Sequence, residues 1–416
     1  MNMKNNFCFG SADILLPREI SDKAFAARYA VIACDQFTSE PEYWEKVEKI
    51  VRGAPSTLRL ILPEAYLGAS DEGRLPQIAE KMREYEKNLF DCYPDALIYV
   101  RRTVTGGRIR RGIVGKIDLT AYDYAVGSAS PVRATEGTVL SRIPPRVAVR
   151  RAATLEAPHI MLLMDDKEKR VIESLDDKIA DLPKLYDFDL MQNGGHIEGY
   201  LVRGKQKDDL LAEMTEVCEN SGSTIQFAVG DGNHSLASAK ARFEEIRCEL
   251  GDAAAMEHPL RYALCEVVNL HEDALVFEPI YRIATVNAPQ DFLKELAVYG
   301  ASCGAGTQSV HWVYGGEEGD VSLGGGTHAL TVGTLQNFLD KYKEAHPETE
   351  IDYIHGENSL RKLSKRENTV GFLFEGMRKE ELFSAVEQDG ALPRKTFSMG
   401  EATDKRYYIE CRKIEK

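Results

Sequence analysis

The chain has few of the features that announce a function from composition alone. No run approaches the ~18 consecutive apolar residues of a spanning helix, which argues against a membrane protein. The opening residues Met1-Asn-Met-Lys-Asn-Asn-Phe7 lack the apolar stretch of a secretory signal, so a cytoplasmic protein is expected. The eight cysteines (8, 34, 92, 218, 248, 265, 303 and 411) are scattered, with no Cys-x-x-Cys pair. That spacing gives no structural-zinc signature and, without export, implies reduced thiols. Positive charge is in deficit: 52 Lys+Arg face 66 Asp+Glu, for a net charge of −14. Bulk binding to nucleic acid or a membrane surface is therefore not expected, while a local basic pocket for a small-molecule substrate remains compatible. Gly324-Gly325-Gly326 is not a phosphate loop, because no Gly-Lys-Ser/Thr follows. There is no internal repeat and no low-complexity linker, and nothing in the sequence specifies an oligomeric state.

With 416 residues, 43% of them hydrophobic, the chain can bury a large core and is long enough for two or three domains. Its most informative stretch is Ser223-Thr-Ile-Gln-Phe-Ala-Val-Gly-Asp-Gly-Asn-His-Ser235. A β-branched and aromatic run ends at Val229, turns through Gly230, Asp231, Gly232 and Asn233, and enters an Ala-rich helix near Ser235. A strand that feeds through a glycine turn into a helix leaves backbone N–H groups free at the positive end of the helix dipole. That is an anion site, most often for phosphate. Asp231, Asn233 and His234 add an acid, an amide and an imidazole. The same residues also describe an ordinary strand–turn–helix with Asn233 or Ser235 as N-cap.

A second stretch, Ser130 to Pro158, begins as a loop and becomes a helix near Pro145. Arg133, Glu136, Thr138, Arg142 and Arg146 alternate there with small or apolar residues. Gathering arginines in an acidic protein costs repulsion, which a polyanion such as a nucleotide phosphate would offset. Arg133 and Arg142 are read as binding residues, and Arg150 and Arg151 as a salt-bridged helix surface. Arg101, Arg102, Arg108, Arg110 and Arg111 crowd a hairpin around Thr105-Gly-Gly107, facing either an anion or solvent.

The rest reads as alternating strands and helices. Tyr29–Cys34 and Leu58–Leu62 are predicted strands, with Asp35 and Gln36 in a polar turn after the first. Arg74–Leu89 is a predicted helix, and Lys167–Ile179 another. Leu185–Val202 is a hairpin turning at Gln192-Asn-Gly-Gly195. Leu260–Leu270 and Ala274–Ala284 are read as a strand pair around His271–Asp273. The composition shifts near residue 287 toward Gly-rich short strands, so domains of 1–286 and 287–416 are expected. The end holds Leu392-Pro-Arg-Lys-Thr396 and a strand over Arg406–Arg412.

Taken together, Val229-Gly-Asp-Gly-Asn-His-Ser235, Val31-Ile-Ala-Cys-Asp-Gln-Phe37, Arg133-Ala-Thr-Glu-Gly-Thr138 with Arg142, Glu278-Pro-Ile-Tyr-Arg282 and Leu392-Pro-Arg-Lys-Thr396 resemble the domain-of-unknown-function family 1015 almost end to end. The resemblance implies an α+β fold: a mixed-sheet ParB/sulfiredoxin-like core with additional β-hairpins and a C-terminal α/β extension. In such folds the equivalent turn binds nucleotide phosphates, and one branch with a D-G-H-H-R turn phosphorylates free serine. Carried over by position, Gly230, Asp231, Gly232, Asn233, His234 and Ser235 form the phosphate cradle for ATP or ADP. Ser235 stands where that branch has arginine. Arg133, Arg142 or Arg282 could replace the missing cation from elsewhere in the chain, and Lys395 is a further candidate nucleotide-binding residue.

Phosphoryl transfer needs positioned positive charge and a carboxylate to orient the acceptor. Asp231 can ligate Mg²⁺, His234 can donate to a phosphate or act as acid and base, and Glu136 is the candidate general base. An ion pair of Glu136 with Arg133 or Arg142 is the competing reading. Three functions follow: a phosphotransferase acting on a small hydroxyl-bearing metabolite such as serine, a nucleotide-binding switch or slow hydrolase, and a non-catalytic scaffold.

Overall fold

The structure, a computed structural model, describes residues 7–66, 73–125 and 127–415. The expectation for residues 1–6 lies outside them. The chain is mixed α/β and divides into two compact units. The first comprises Met1–Ala134, Thr138–Leu275 and Gly400–Lys416; the second comprises Thr135–Gly137 and Val276–Met399. The units break at Leu275/Val276 rather than at 286/287, Thr135–Gly137 belongs with the second, and the final segment returns to the first.

The first unit is built on a mixed sheet of eleven strands among the described residues. Its main path runs Lys184–Asp189, His196–Val202, Phe90–Thr103, Ile109–Asp118, Tyr262–Asn269, Met161–Met164, Phe227–Asp231, Val132–Ala134 and Tyr122–Asp123. The central strands are apolar on both faces, as strands covered on both sides must be. Val267, Val268, Leu162, Leu163, Phe227, Ala228 and Val229 are all fully buried. The two predicted hairpins form, one turning through Gly106 and Gly107 and the other through Gln192 and Asn193, all at positive φ.

Strand alternation settles four of the five hairpin arginines, which face neither a free anion nor open solvent, while Arg108 at the turn is exposed. Arg102 lies opposite Arg110, and both are buried. Arg101 lies opposite Arg111 on the other face, where both pair with Asp176. Leu58–Leu62 is not a strand. Ser56 caps a single 3-10 turn at Thr57–Arg59, and Leu58, Leu60, Ile61 and Leu62 are buried without alternation. The predicted helix at Lys167–Ile179 is a 3-10 segment over Glu173–Asp181. Tyr262–Asn269 and Phe277–Thr285 are not partners. The first sits between two strands of the eleven-stranded sheet and the second belongs to the other sheet.

The second unit has an antiparallel sheet ordered Glu317–Gly324, Gln308–Tyr314, Thr369–Leu373, Phe277–Thr285 and Glu350–His355, with Phe397–Met399 also paired to Phe277–Thr285. Phe292 packs its ring against Phe338, Tyr342 and Phe372, joining helices Pro289–Ser302 and Thr331–Ala345 to that sheet. No helix among the described residues is long and apolar enough to cross a membrane. All eight cysteines are free thiols.

Candidate functional site

The stretch singled out in the sequence forms strand Phe227–Asp231, a one-residue turn at Gly232 and helix Asn233–Leu250. The strand runs parallel to Val132–Ala134 and antiparallel to Met161–Met164, where the register shifts between Val229 and Asp231. Both glycines are required. A Cβ on Gly230 would meet Leu163 Cγ at 2.8 Å, and one on Gly232 would meet Ile160 Cα at 3.0 Å. Gly232 also has φ +77°, which other residues rarely adopt. The turn therefore crosses close over Ile160 and delivers the chain straight into the helix.

A glycine at the N-cap has no side chain to accept from the first turn, and no side chain caps this helix. Its first N–H groups point out of the N-terminus with the dipole behind them, so the backbone can receive an anion. Nearby, Asn233 Oδ1 and Thr138 Oγ1 are buried without a hydrogen-bond partner. Asp231 Oδ1 accepts from Gly232 N–H at 2.9 Å, and its Oδ2 pairs with Lys405 Nζ at 3.2 Å.

The cations arrive on two elements. Helix Ile143–Ala152 starts through Pro144 and Pro145, which suit the first turn, and lays Ile143 and Val147 against Ala237 of the long helix. Small Ala237 and Ala241 allow that approach. It brings Arg142 and Arg146 close enough to act on His234. Burial, then the charges of Arg146 and Arg142, hold the His234 imidazole below the ordinary histidine range. Val139 N–H donates to His234 Nε2 at 3.3 Å, which places the proton of the neutral ring on Nδ1. Arg146 pairs with Glu64, whereas Arg142 is exposed.

The second element is the returning C-terminal strap. Buried Arg102 grips it by donating to the carbonyls of Thr403, Asp404 and Lys405, while Arg110 Nη1 donates to Asp404 O at 2.8 Å. This holds Lys405 at Asp231. Three residues on, Tyr408 OH accepts from Cys34 N–H at 3.2 Å and meets His159 Nδ1 at 2.6 Å. The Tyr408 proton is left for Nδ1, so His159 Nε2–H points to Ser235 Oγ, 3.1 Å away, with Asp35 Oδ2 at 3.8 Å. Burial would raise the Asp35 pKa, but the charge of His159 when its ring is protonated, the Gln36 side chain and Lys405 outweigh it and hold the carboxyl below the usual range.

The remaining predicted residues sit differently. Arg133 is buried, donating from Nε to Ser130 O and from Nη2 to Thr224 Oγ1. Glu136, Arg282 and Lys395 belong to the second unit. There, Arg282 is fully buried over the Tyr353 ring and donates to Gln336 Oε1 and to the carbonyls of Ile280, Arg394 and Lys395. Burial lowers its pKa to about 10, opposed by Tyr353, Asp340 and Glu136. Lys395 is exposed, with Nζ over the same ring.

For a divalent cation, Asp231 is a poor ligand as arranged. Mg²⁺ seeks oxygens in octahedral geometry, yet one Asp231 oxygen takes a backbone N–H and the other takes Lys405. Asp187, His196 and Glu198 bring three ligand atoms within 4.8 Å of one another, but Lys23 and Lys184 already neutralise the carboxylates.

Sequence reading missed His159, Lys405 and Tyr408 as site residues, and left Asp35 and Arg146 without a role. His159 carried one signal: it follows Pro158 at the head of the strand beside Phe227–Asp231. Lys405 and Tyr408 carried none, since the strap has no local motif.

No curated protein matches the chain. Among solved structures, it is similar to a conserved hypothetical protein from Pyrococcus furiosus, with 10% identity over 73% of this chain and 95% of that one, at TM-score 0.35. A mutant free serine kinase in complex with ADP gives 10% identity over 75% and 95%, at TM-score 0.39. A free serine kinase in complex with AMP gives 12% over 72% and 92%, at TM-score 0.38. The sequence model of the family described as "Protein of unknown function (DUF1015)" matches residues 16–413, nearly the whole length, and the chain belongs to that family.

Proposed function

We propose that the Gly232 turn binds the phosphates of ATP or ADP, within a ParB/sulfiredoxin-like core, and that the protein transfers a phosphoryl group to a small hydroxyl-bearing metabolite, such as a free amino or hydroxy acid. One observation carries the reading: an uncapped helix N-terminus lies behind a glycine whose added Cβ would meet Ile160 Cα at 3.0 Å, near enough to Arg146 and Arg142 for His234 to feel their charge. The first amides of Asn233–Leu250 would hold phosphate oxygens, with His234 Nδ1–H as a side-chain donor. Arg142 takes the place of the arginine that Ser235 replaces. Arg133 and Arg282 already spend guanidinium donors on the protein. The nucleotide, when bound, supplies the transferable group. Lys405 faces Asp231 and neutralises charge there. Asp35, held ionised, orients the acceptor hydroxyl from within the same unit, while Glu136 remains the carboxylate indicated by the sequence.

Thermal shift with ATP and ADP, each with and without Mg²⁺, tests binding; Asp231→Ala and His234→Ala should abolish the shift while the proteins stay folded. Unchanged shifts in both variants remove the assignment. Phosphorus NMR with ATP and candidate hydroxy acids then separates a transferase, which yields a phosphorylated acceptor and ADP, from a slow hydrolase, which yields ADP and inorganic phosphate only. Asp35→Asn and Glu136→Gln, compared side by side, decide the carboxylate. The one that orients the acceptor should bind nucleotide normally and transfer at least tenfold more slowly.

A further inference from the structure

Behind Ser235 and His159 the first unit holds a cavity of about 160 Å³ that no step above uses. Leu60, Leu62, Val149 and Leu155 are among the apolar residues that line it, and Ser235, Ser238, His159 and Tyr408 form its polar wall, with Ser238 Oγ already donating to His234 O and Tyr408 OH engaged by His159 Nδ1. Charged side chains also border it, but they are matched among themselves: Arg146 with Glu64, and Arg150 with Glu156. A ligand entering there meets hydrocarbon and no uncompensated charge. A cavity of this size lined by aliphatic side chains takes a benzene-sized molecule. The polar wall has one defined demand. Ser235 Oγ accepts from His159 Nε2–H, so the hydroxyl hydrogen of Ser235 is left to donate. The matching group is a neutral oxygen acceptor.

We propose that this cavity binds the body of a neutral alcohol, a branched aliphatic or single-ring compound of about six carbons, with its hydroxyl oxygen accepting from Ser235. Because Ser235 also stands in the first turn of the helix proposed to hold phosphate, the alcohol is the acceptor of the proposed transfer. Its oxygen bonds to the γ-phosphorus of ATP, the bond from that phosphorus to the β–γ bridging oxygen breaks, ADP leaves with the electron pair, and the alcohol proton passes to the Asp35 carboxylate. That transfer rests on the phosphotransferase reading, and the binding does not. The pocket narrows the acceptor from hydroxyl compounds in general to neutral ones with an apolar body, and so selects against the amino and hydroxy acids among them, whose ionised carboxylate would be left without a partner. It disfavours polyols of the same size, whose further hydroxyls would lose water without gaining partners.

The probes are benzyl alcohol and 3-methyl-1-butanol, with glycerol as the polar control, titrated into the full chain by saturation-transfer NMR. Both apolar alcohols should bind and compete with one another, and glycerol should displace neither. Val149→Phe and Ala153→Leu each fill the cavity from a different side. Each should weaken benzyl alcohol at least tenfold while ATP affinity, measured separately, stays within twofold; two independent variants guard against one failing to fold. Absence of binding to the wild type, or equal affinity in a folded filled variant, overturns the pocket. Incubation with ATP and benzyl alcohol should yield benzyl phosphate. Binding that is lost on filling, without any benzyl phosphate, keeps the pocket and overturns its role as acceptor site.

Discussion

Two kinds of arginine divide the molecule. Arg102 in the first unit and Arg282 in the second are buried, and each spends its guanidinium on backbone carbonyls around a lysine-bearing loop: Thr403 to Lys405 in one case, Arg394 and Lys395 in the other. Burial lowers both, Arg102 to about 9 with Arg110 adding to the effect, and Arg282 to about 10. Arg142 instead is exposed at the start of helix Ile143–Ala152, where its charge, with that of the Glu64-paired Arg146, is felt by His234. The first kind is structural glue for irregular backbone, which must have its carbonyls satisfied when buried. The second kind is available to a ligand. The charge is the same, so the difference lies in where the donors are already engaged.

Substitutions can break or sharpen that division. The largest effect is expected for Arg406, a member of the buried kind that lies between Glu266 and Glu410. Burial acts to lower its pKa, but the two carboxylates prevail and raise it. Arg406→Met leaves two buried acids uncompensated and should cost about 3–5 kcal/mol in urea unfolding. Next, Arg282→Met should cost about 2–3 kcal/mol by stranding carbonyls and Gln336, with nucleotide affinity unchanged. A loss of affinity there would move Arg282 into the second kind. Gly232→Ala should cost about 1–2 kcal/mol through its positive φ and should also reduce the nucleotide-induced thermal shift. Arg142→Ala should leave stability within ~0.5 kcal/mol yet weaken nucleotide about tenfold, more at low salt than at high. Wild-type affinity would return Arg142 to the surface.

The smallest expected effect is the pH dependence at His234. Its folded pKa lies below the ordinary 6.5. The preference of the fold for the neutral ring is therefore fully present above pH 6.5 and is lost as the pH falls through the folded value. His234→Gln should flatten the acid side of the stability profile slightly. Nucleotide binding should raise the His234 pKa, read from the imidazole proton shift, since a phosphate favours the charged ring. A fall on binding would place the phosphate elsewhere.

The comparison also marks what was legible in the sequence. Phe227 to Ala241 could be read directly, because a buried strand, an obligatory glycine and an alanine-rich helix face each leave a local pattern. The hairpins around Gly106 and Asn193 were equally plain. Leu58–Leu62 misled, since all-round burial of an irregular segment looks like a central strand. The two strands flanking His271 misled through proximity in sequence, although each pairs in a different sheet. At the site, Asp231, Gly232, Asn233, His234 and Ser235 are contiguous, so they came as a group. Lys405 and Tyr408 lie more than 150 residues further along the chain. Their placement follows from Arg102 and from pairing of Tyr407–Tyr408 with Val31–Ile32, which no local pattern announces. Arg282 and Arg133 show the converse: an arginine in a promising motif can already be fully occupied.

The returning strap also sets an order of manufacture. Lys405 and Tyr408 are synthesised only after the whole of Val276–Met399, long after the ribosome has released the turn they complete. A nascent chain can close its central strands and its glycine turn while Asp231 still lacks its lysine and His159 its tyrosine. A message broken after the codon for Met399 would encode every residue of the Gly232 turn, yet yield a protein whose turn has no lysine and whose His159 has lost the tyrosine that fixes its tautomer.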